Sequence, residues 1–280
     1  MAISRAVLIT GCSSGIGRAT ALLLHREGLP VYASARDTDA LAPLAQLGIK
    51  TLRLDVTDEE SASAAVKQIA EEHGAVGALV NNAGTGVHGA VEDVPLDTAR
   101  ALFETNLFGA VRLTQLVLPG MREQGAGRIV FLSSVLGRFS PPGGGLYQAT
   151  KHAVEAYGDA LRLEVAQFGV RVALIEPATV RTRFFETAMM QFAGRPGSAY
   201  QHFYDELAAW AIEVHEGKST AGRYAATPEQ VAQAIRRAVL AESPKARYPV
   251  GTLARGALSM RRLLPDAAFD KFVARQFPAP

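Results

Sequence analysis

The chain predicts an α/β fold, a doubly wound parallel sheet with helices on both faces. Three observations lead there. Short apolar runs alternate with longer helical patterns from residue 6 to about 176. Several runs are nearly all apolar, as strands covered on both faces must be, and a glycine-rich turn joins the first run to the first helix. At 280 residues the chain has room for one large domain of this class and a substantial core.

In chain order, strands are predicted at 6–10, 30–34, 50–54, 78–81, 128–133 and 170–176. Helices are predicted between them at 15–27, 38–47, 58–73, 96–121 and 145–168. Pro95 suits the start of the fourth helix, and Gly169 follows the fifth as a stop. From about 183 the rhythm breaks. A stretch rich in Phe, Met and Tyr, with a turn at Gly194-Arg195-Pro196-Gly197, reads as a lid over about 183–226. A helix at 228–241 follows Thr227 as N-cap, and 247–250 reads as a last strand. The tail, about 252–280, reads as one or two amphipathic helices broken at Pro265. No linker-like composition separates these parts, so residues 1–280 are expected to form one domain with a lid and a tail.

Composition narrows the function classes. A hydrophobic fraction of 48% and a net charge of +2, from 29 basic and 27 acidic residues, describe an ordinary globular protein. No basic cluster interleaves with aromatics, so nucleic acid is not an expected partner. Cys12 is the only cysteine, which excludes an intrachain disulfide, and its place in the glycine turn suits a small apolar filler. The start runs straight into a strand and no uncharged apolar stretch reaches about 18 residues. Neither a signal peptide nor a transmembrane segment is expected, and cytoplasmic is the default. His25, His73, His88, His152, His202 and His215 show no ligand spacing, so no metal is expected.

The chemistry begins at Thr10-Gly11-Cys12-Ser13-Ser14-Gly15-Ile16-Gly17, between the first strand and first helix. Glycines there permit a tight turn, let backbone N–H groups approach a pyrophosphate, and keep helix close to sheet. Gly11, Ser13, Ser14, Gly15, Ile16 and Gly17 are therefore candidate dinucleotide-binding residues. The second strand should end at the adenosine ribose, and the chain there reads Ser34-Ala35-Arg36-Asp37. An acid at the strand's end would accept from a free 2′-hydroxyl; Ala35 stands there instead, and the guanidinium of Arg36 suits a 2′-phosphate. NADP(H) is thus favoured over NAD(H). Asp55 is placed either to accept from an adenine amine or to cap the next helix. Asn82, within Asn81-Asn82-Ala83-Gly84, ends the fourth strand on the same sheet edge.

Tyr147 and Lys151 lie four apart on a predicted helix, hence on one face. An ammonium about 5 Å from a phenol, at an effective dielectric of about 20, is worth roughly 3 kcal/mol and would lower the phenol pKa by roughly 2 units. That brings a general acid into working range. By chance alone Tyr-x-x-x-Lys is expected about 0.15 times in such a chain, so the pair gains its weight from company. Ser134 stands thirteen residues upstream of Tyr147, at the end of an apolar run.

Together, the glycine turn, Asn81-Asn82-Ala83-Gly84, Ser134 and the Tyr147/Lys151 pair resemble the classical short-chain dehydrogenase/reductase family, over residues 6 to about 182. The resemblance implies a Rossmann fold with a nicotinamide cofactor. It implies Tyr147 as acid/base, Ser134 as donor to the substrate oxygen, and Lys151 as the group that holds the nicotinamide ribose and depresses the tyrosine. Asn106 matches the fourth catalytic position, and as a poor mid-helix residue it is also expected to perturb the helix locally. Pro177-Ala178-Thr179-Val180-Arg181-Thr182 is similar to the family's Pro-Gly segment contacting the carboxamide, with Ala178 in place of Gly and Thr182 kept. The wording around residues 7–15 and 31–37 is similar to the 17-beta-hydroxysteroid and retinol dehydrogenase-like branch. It implies a small hydrophobic alcohol or carbonyl substrate and a homodimer or homotetramer. The alternative is a cofactor-sensing regulator on the same fold, which would be expected to have lost Ser134, Tyr147 or Lys151.

Overall fold

Side chains alternate across each strand, and this alternation sorts the core into two layers. In β1 (Val7–Ile9), Val7 and Ile9 pack with Leu24 and Ile235 on one face, while Leu8 packs with Ile69, Leu113 and Met121 on the other. The computed structural model describes residues 3–184 and 197–278. Within them, β2 (Val31–Ala35), β3 (Lys50–Arg53), β4 (Ala78–Asn81), β5 (Gly127–Leu132), β6 (Val170–Pro177) and β7 (Arg247–Val250) complete a seven-stranded sheet of order β3-β2-β1-β4-β5-β6-β7. Every pairing is parallel. The order reverses between β1 and β4, which opens a crevice at the carboxyl ends of those strands, the ligand position in such sheets.

Helices α1 (Gly15–Arg26), α3 (Glu59–His73), α5 (Gly109–Glu123) and α6 (Gly145–Glu164) lie close to their predicted spans. Three departures have local causes. The helix expected at 38–47 is a 3-10 turn, Asp39–Leu41, and a single α-turn, α2 (Ala42–Ala45), because Asp37 Oδ1 accepts from the Asp39 N–H (2.9 Å) and starts a turn. The helix expected at 96–121 is α4 (Leu96–Phe103) and α5 joined by a π-helical turn, Glu104–Phe108, centred on Asn106. The helix expected at 145–168 closes as a 3-10 turn, Ala166–Phe168, and Gly169 takes a left-handed φ of 72°.

Beyond β6, α7 (Gln201–His215) and α8 (Thr220–Arg223) build the described part of the lid. Tyr204 anchors α7 by donating to the buried Asp93 carboxylate. The aromatic and methionine side chains expected over 185–196, and most of the turn at Gly194-Arg195-Pro196-Gly197, lie outside the described residues. Helix α9 (Pro228–Leu240) opens on a full capping box between Thr227 and Gln230. The tail breaks at Pro265 into α10 (Thr252–Leu263) and α11 (Asp266–Ala274), and its Ala254, Phe269 and Val273 pack on Val135 and Phe139. No helix among the described residues is long and apolar enough to cross a membrane.

Candidate active site

The glycine turn is shaped by what surrounds it. Gly11 and Gly15 take left-handed φ values of 71° and 56°. A Cβ on Gly17 would lie 2.4 Å from the Gly11 carbonyl oxygen and 2.6 Å from Asn82 Nδ2, so only glycine lets α1 approach this closely. Asn82 spends its amide on this turn, donating to the carbonyls of Thr10 (2.7 Å) and Gly11 (3.1 Å). Thr10 Oγ1 in turn accepts from the N–H groups of Asn82 and Ala83. Asn82 therefore braces the turn with its side chain while also lining the cleft.

A dinucleotide fits what this turn presents. Ser14, the N-cap of α1, makes no side-chain capping hydrogen bond, and the first turn of α1 carries no acid. The orphan N–H groups and positive end of α1 are left facing the cleft, a ready site for a pyrophosphate. The cleft, about 1720 Å³, runs from Gly11, Ser13, Ser14, Gly15 and Ile16 past Arg36 and Asp55 at one end to Ser134, Tyr147 and Lys151 at the other. Thr182 closes it from above, its methyl 3.1 Å from where a Gly15 Cβ would stand. Ala178 replaces glycine without strain, since no non-glycine residue among the described ones adopts a positive φ. Cys12 is buried, its thiol pushed up to about 12 by burial, as an inert filler should be.

Two expected roles change here. Asp55 does not cap α3; Asp58 does, accepting from the Ser61 N–H (3.1 Å). Asp55 Oδ1 instead accepts from the N–H (2.9 Å) and hydroxyl (2.8 Å) of Thr57 at the cleft rim. Burial works to raise its carboxyl, but those hydrogen bonds and the charges of Arg36 and Arg53 outweigh it and hold it below the usual range. Asn106 does not line the cleft. Its side chain is spent bridging, with Oδ1 accepting from Thr85 N–H (2.8 Å) and Nδ2 donating to Thr85 O (2.9 Å) and Thr150 Oγ1 (3.1 Å). It ties the loop after β4 to α6 from within the π-helical turn.

Ser134 caps the short turn Val135–Gly137 at the end of β5, accepting from the Leu136 N–H (3.1 Å). Its hydroxyl also donates to the Pro177 carbonyl (3.4 Å) and acts to lower the pKa of the neighbouring Tyr147 phenol. Ser133, its neighbour, also lines the cleft, but its buried Oγ makes no hydrogen bond among the described residues. Lys151 Nζ donates to the Leu132 carbonyl (2.7 Å) and lies 5.7 Å from the centre of the Tyr147 ring.

The electrostatics reverse one expectation. Lys151 does not bring the Tyr147 phenol down; burial pushes it above its ordinary range, against the lowering effect of the Ser134 hydroxyl. The same burial lowers Lys151 to about 8, opposed by the charge of Glu155. Spacing on a helix supplied the pair but not its desolvation, and desolvation wins at this site.

Sequence reasoning raised His88 and the segment ending at Trp210 as candidate cleft residues but missed Gln148 and Phe277. Gln148 is buried beside Tyr147 and donates from Nε2 to Pro141 O (2.9 Å), and His88 Nδ1 lies 3.2 Å from Gly143 O. Trp210 and Phe277 meet across the cleft mouth with ring centres 5.6 Å apart. No periodicity links residues so distant in the chain, so the sequence carried no signal for that contact.

The short chain dehydrogenase family model matches residues 5–191, more than half of the chain. The chain belongs to this family. Short-chain dehydrogenases use NAD(P), and this chain is accordingly an oxidoreductase of that type. The Escherichia coli (strain K12) oxidoreductase YbbO is 36% identical over 272 residues, covering 97% of this chain and 94% of its own. A 3-ketodihydrosphingosine reductase from Bacteroides thetaiotaomicron is 35% identical over 249 residues, covering 88% of each chain. Among solved structures, a short-chain dehydrogenase from Streptomyces avermitilis superposes with a TM-score of 0.80 at 32% identity, over 97% of this chain and 95% of that one. This short-chain dehydrogenase shares with that relative a fold that spans lid and tail as well as sheet.

Proposed function

We propose that this protein is an NADP(H)-dependent oxidoreductase that interconverts a hydrophobic alcohol and its ketone or aldehyde, with Ser134, Tyr147 and Lys151 as its reacting site. The observation that carries the reading is the convergence of Ser134, Tyr147 and Lys151 on the cleft, with Lys151 Nζ 5.7 Å from the centre of the Tyr147 ring. When bound, the nicotinamide dinucleotide supplies or accepts the hydride.

The chain's own residues do the rest. Backbone N–H groups of the glycine turn and the start of α1 hold the pyrophosphate. Arg36, exposed beyond β2, faces a 2′-phosphate. Tyr147, held protonated by burial, is suited to give its proton to a substrate oxygen that gains negative charge. Ser134 steadies that oxygen with a hydrogen bond in a site shielded from bulk water. Lys151 holds positive charge next to both groups below pH of about 8. Asn106 acts at one remove, fixing the Thr85 loop against α6.

Apolar side chains support a hydrophobic substrate. Leu207, Trp210, Met260, Phe272 and Phe277 of lid and tail line the cleft, and the Phe184 ring lies 5.8 Å from that of Tyr147. The Bacteroides relative, a 3-ketodihydrosphingosine reductase, points the same way. We place the protein in the cytoplasm as a homodimer or homotetramer. The exposed small residues Ala156 and Ala160 of α6 allow a partner helix to approach.

The test is NADPH oxidation across a panel of ketones, aldehydes, retinoids and steroids. Tyr147→Phe is expected to cut turnover by about 10² to 10⁴ while NADPH still binds. A Tyr147→Phe enzyme with near-normal turnover overturns the assignment.

A further inference from the structure

Next to the site, one helical turn beyond Lys151 on α6, lies a cluster of charged side chains that the proposed chemistry does not use. Glu155, one helical turn after Lys151, and Glu176, on β6 just before Pro177, are 5% and 2% exposed. Arg247 of β7 donates from Nε to Glu155 Oε2 (2.9 Å) and lies 3.4 Å from Glu176 Oε1. Its other end meets Asp159 Oδ2 at 2.5 Å. Arg138, which ends the turn carrying Ser134, lies 3.5 Å from Glu155 and 3.7 Å from Glu176. Asp159 is also paired with Arg162 (3.1 Å).

This cluster touches the site at two points. A Cβ on Gly137 would meet the Lys151 carbonyl oxygen at 2.9 Å, Glu155 Cγ at 3.0 Å and Ser133 Oγ at 3.0 Å. The turn that carries Ser134 therefore rests on α6 at the very step from Lys151 to Glu155. Lys151 itself has a neutral partner, the Leu132 carbonyl, and is almost wholly buried. A buried ammonium bound to one carbonyl is costly to keep charged unless an anion lies near. Glu155 is the carboxylate whose charge acts on it.

We propose that Glu155 is a positioning residue for Lys151: its buried carboxylate keeps the Lys151 ammonium protonated and, through Arg138 and Arg247, holds the Ser134 turn against α6. The role rests on the reading of Lys151 given above. Arg138 and Arg247 share Glu155 with Lys151 and weaken its pull; Asp159 adds negative charge nearby, as does Glu176 above pH of about 7. A carboxylate one turn away, about 6 Å at an effective dielectric of about 20, shifts a lysine by on the order of one to two pH units. Removing it moves the loss of the ammonium from about 8 toward neutral pH.

The experiment titrates the full-length protein carrying 13C-labelled lysine, with the Lys151 resonance identified by its loss in Lys151→Arg. In Glu155→Gln the Lys151 titration is expected about one to two units lower than in the wild type. Glu155→Asp restores most of the shift, and Asp159→Asn, whose carboxylate is half-exposed and shared by two arginines, changes it by less than about 0.3 units. Arg138→Gln, at a half-exposed site, moves it the opposite way, upward, and this arm decides the matter should Glu155→Gln not fold. An unchanged Lys151 titration in Glu155→Gln or in Arg138→Gln overturns the proposal, as does an equal shift in Asp159→Asn. The alkaline limb of NADPH-dependent carbonyl reduction should follow the same shifts. Absence of turnover with every carbonyl would sink the oxidoreductase reading alone, because the lysine titration needs no substrate.

Discussion

Single side chains here are governed by what desolvates them as much as by what neighbours them. Tyr147 and Lys151 stand four apart, yet burial drives the phenol up and the amine down to about 8, so the phenol keeps its proton while the ammonium loses its own only above pH of about 8. For a reductase this is serviceable, since a protonated phenol is the acid that the substrate oxygen requires. Arg36 is different, because it is exposed and acts by charge and fork geometry alone. Arg36→Ala is expected to weaken NADPH by roughly 1.5–3 kcal/mol, the worth of a charge-assisted contact, and to leave NADH nearly untouched. Titrating both cofactors by fluorescence checks this, and equal losses for the two would remove Arg36 from the 2′-phosphate. The identities of these residues were legible in the chain. Their protonation was not, because it depends on atoms brought from other elements.

Among the elements, the Ser134 turn shows how close packing places a functional group. Gly137 is a glycine because a Cβ there would lie 2.9 Å from the Lys151 carbonyl oxygen and 3.0 Å from Ser133 Oγ, neither of which can move freely. Gly137→Ala should push the turn off α6 and carry Ser134 away from Tyr147. A displacement near 1 Å costs about 10²-fold in rate, so kcat is expected to fall by about ten- to a hundredfold with NADPH binding kept. Steady-state kinetics beside a cofactor titration separates the two, and wild-type kcat in this variant would refute the packing argument. The π-helical turn at Glu104–Phe108 belongs to the same scale. Asn106 announced a perturbed helix from its propensity, but the direction of its amide, toward Thr85 and Thr150, required α6 to be in place. Strand positions, by contrast, were readable almost residue by residue, since apolar runs of this kind have few other uses.

Across the whole molecule, the buried acids couple stability to pH. Burial and repulsion from Glu155 raise the Glu176 carboxyl to about 7, against the pull of Arg138 and Arg247. The folded chain then keeps a proton that the unfolded chain, whose carboxyl titrates at the ordinary 4.5, gives up. Stability contributed by that proton is present below pH of about 4.5 and is lost as pH rises through about 7. The loss is at most about 3 kcal/mol. Lys151, at about 8, titrates above this window. Glu176→Gln should therefore flatten the fall in stability between those limits, as read by urea unfolding at several pH values. Equal slopes in both proteins would show that Glu176 carries no such linkage.

The amino-acid order alone determined the parallel α/β architecture, the glycine turn, the helix caps such as Thr227 and membership of the short-chain dehydrogenase family. Those features are local: apolar alternation, backbone conformation and residue spacing are properties of neighbours in the chain. Only the folded molecule decided that Asn82 braces the glycine turn, that Asp58 rather than Asp55 caps α3, and that Trp210 and Phe277 meet over the cleft. It also decided that the tail packs on Val135 and Phe139 beside Ser134. Each of these joins groups distant in sequence, where geometry and loss of water, which no spacing encodes, set the energy.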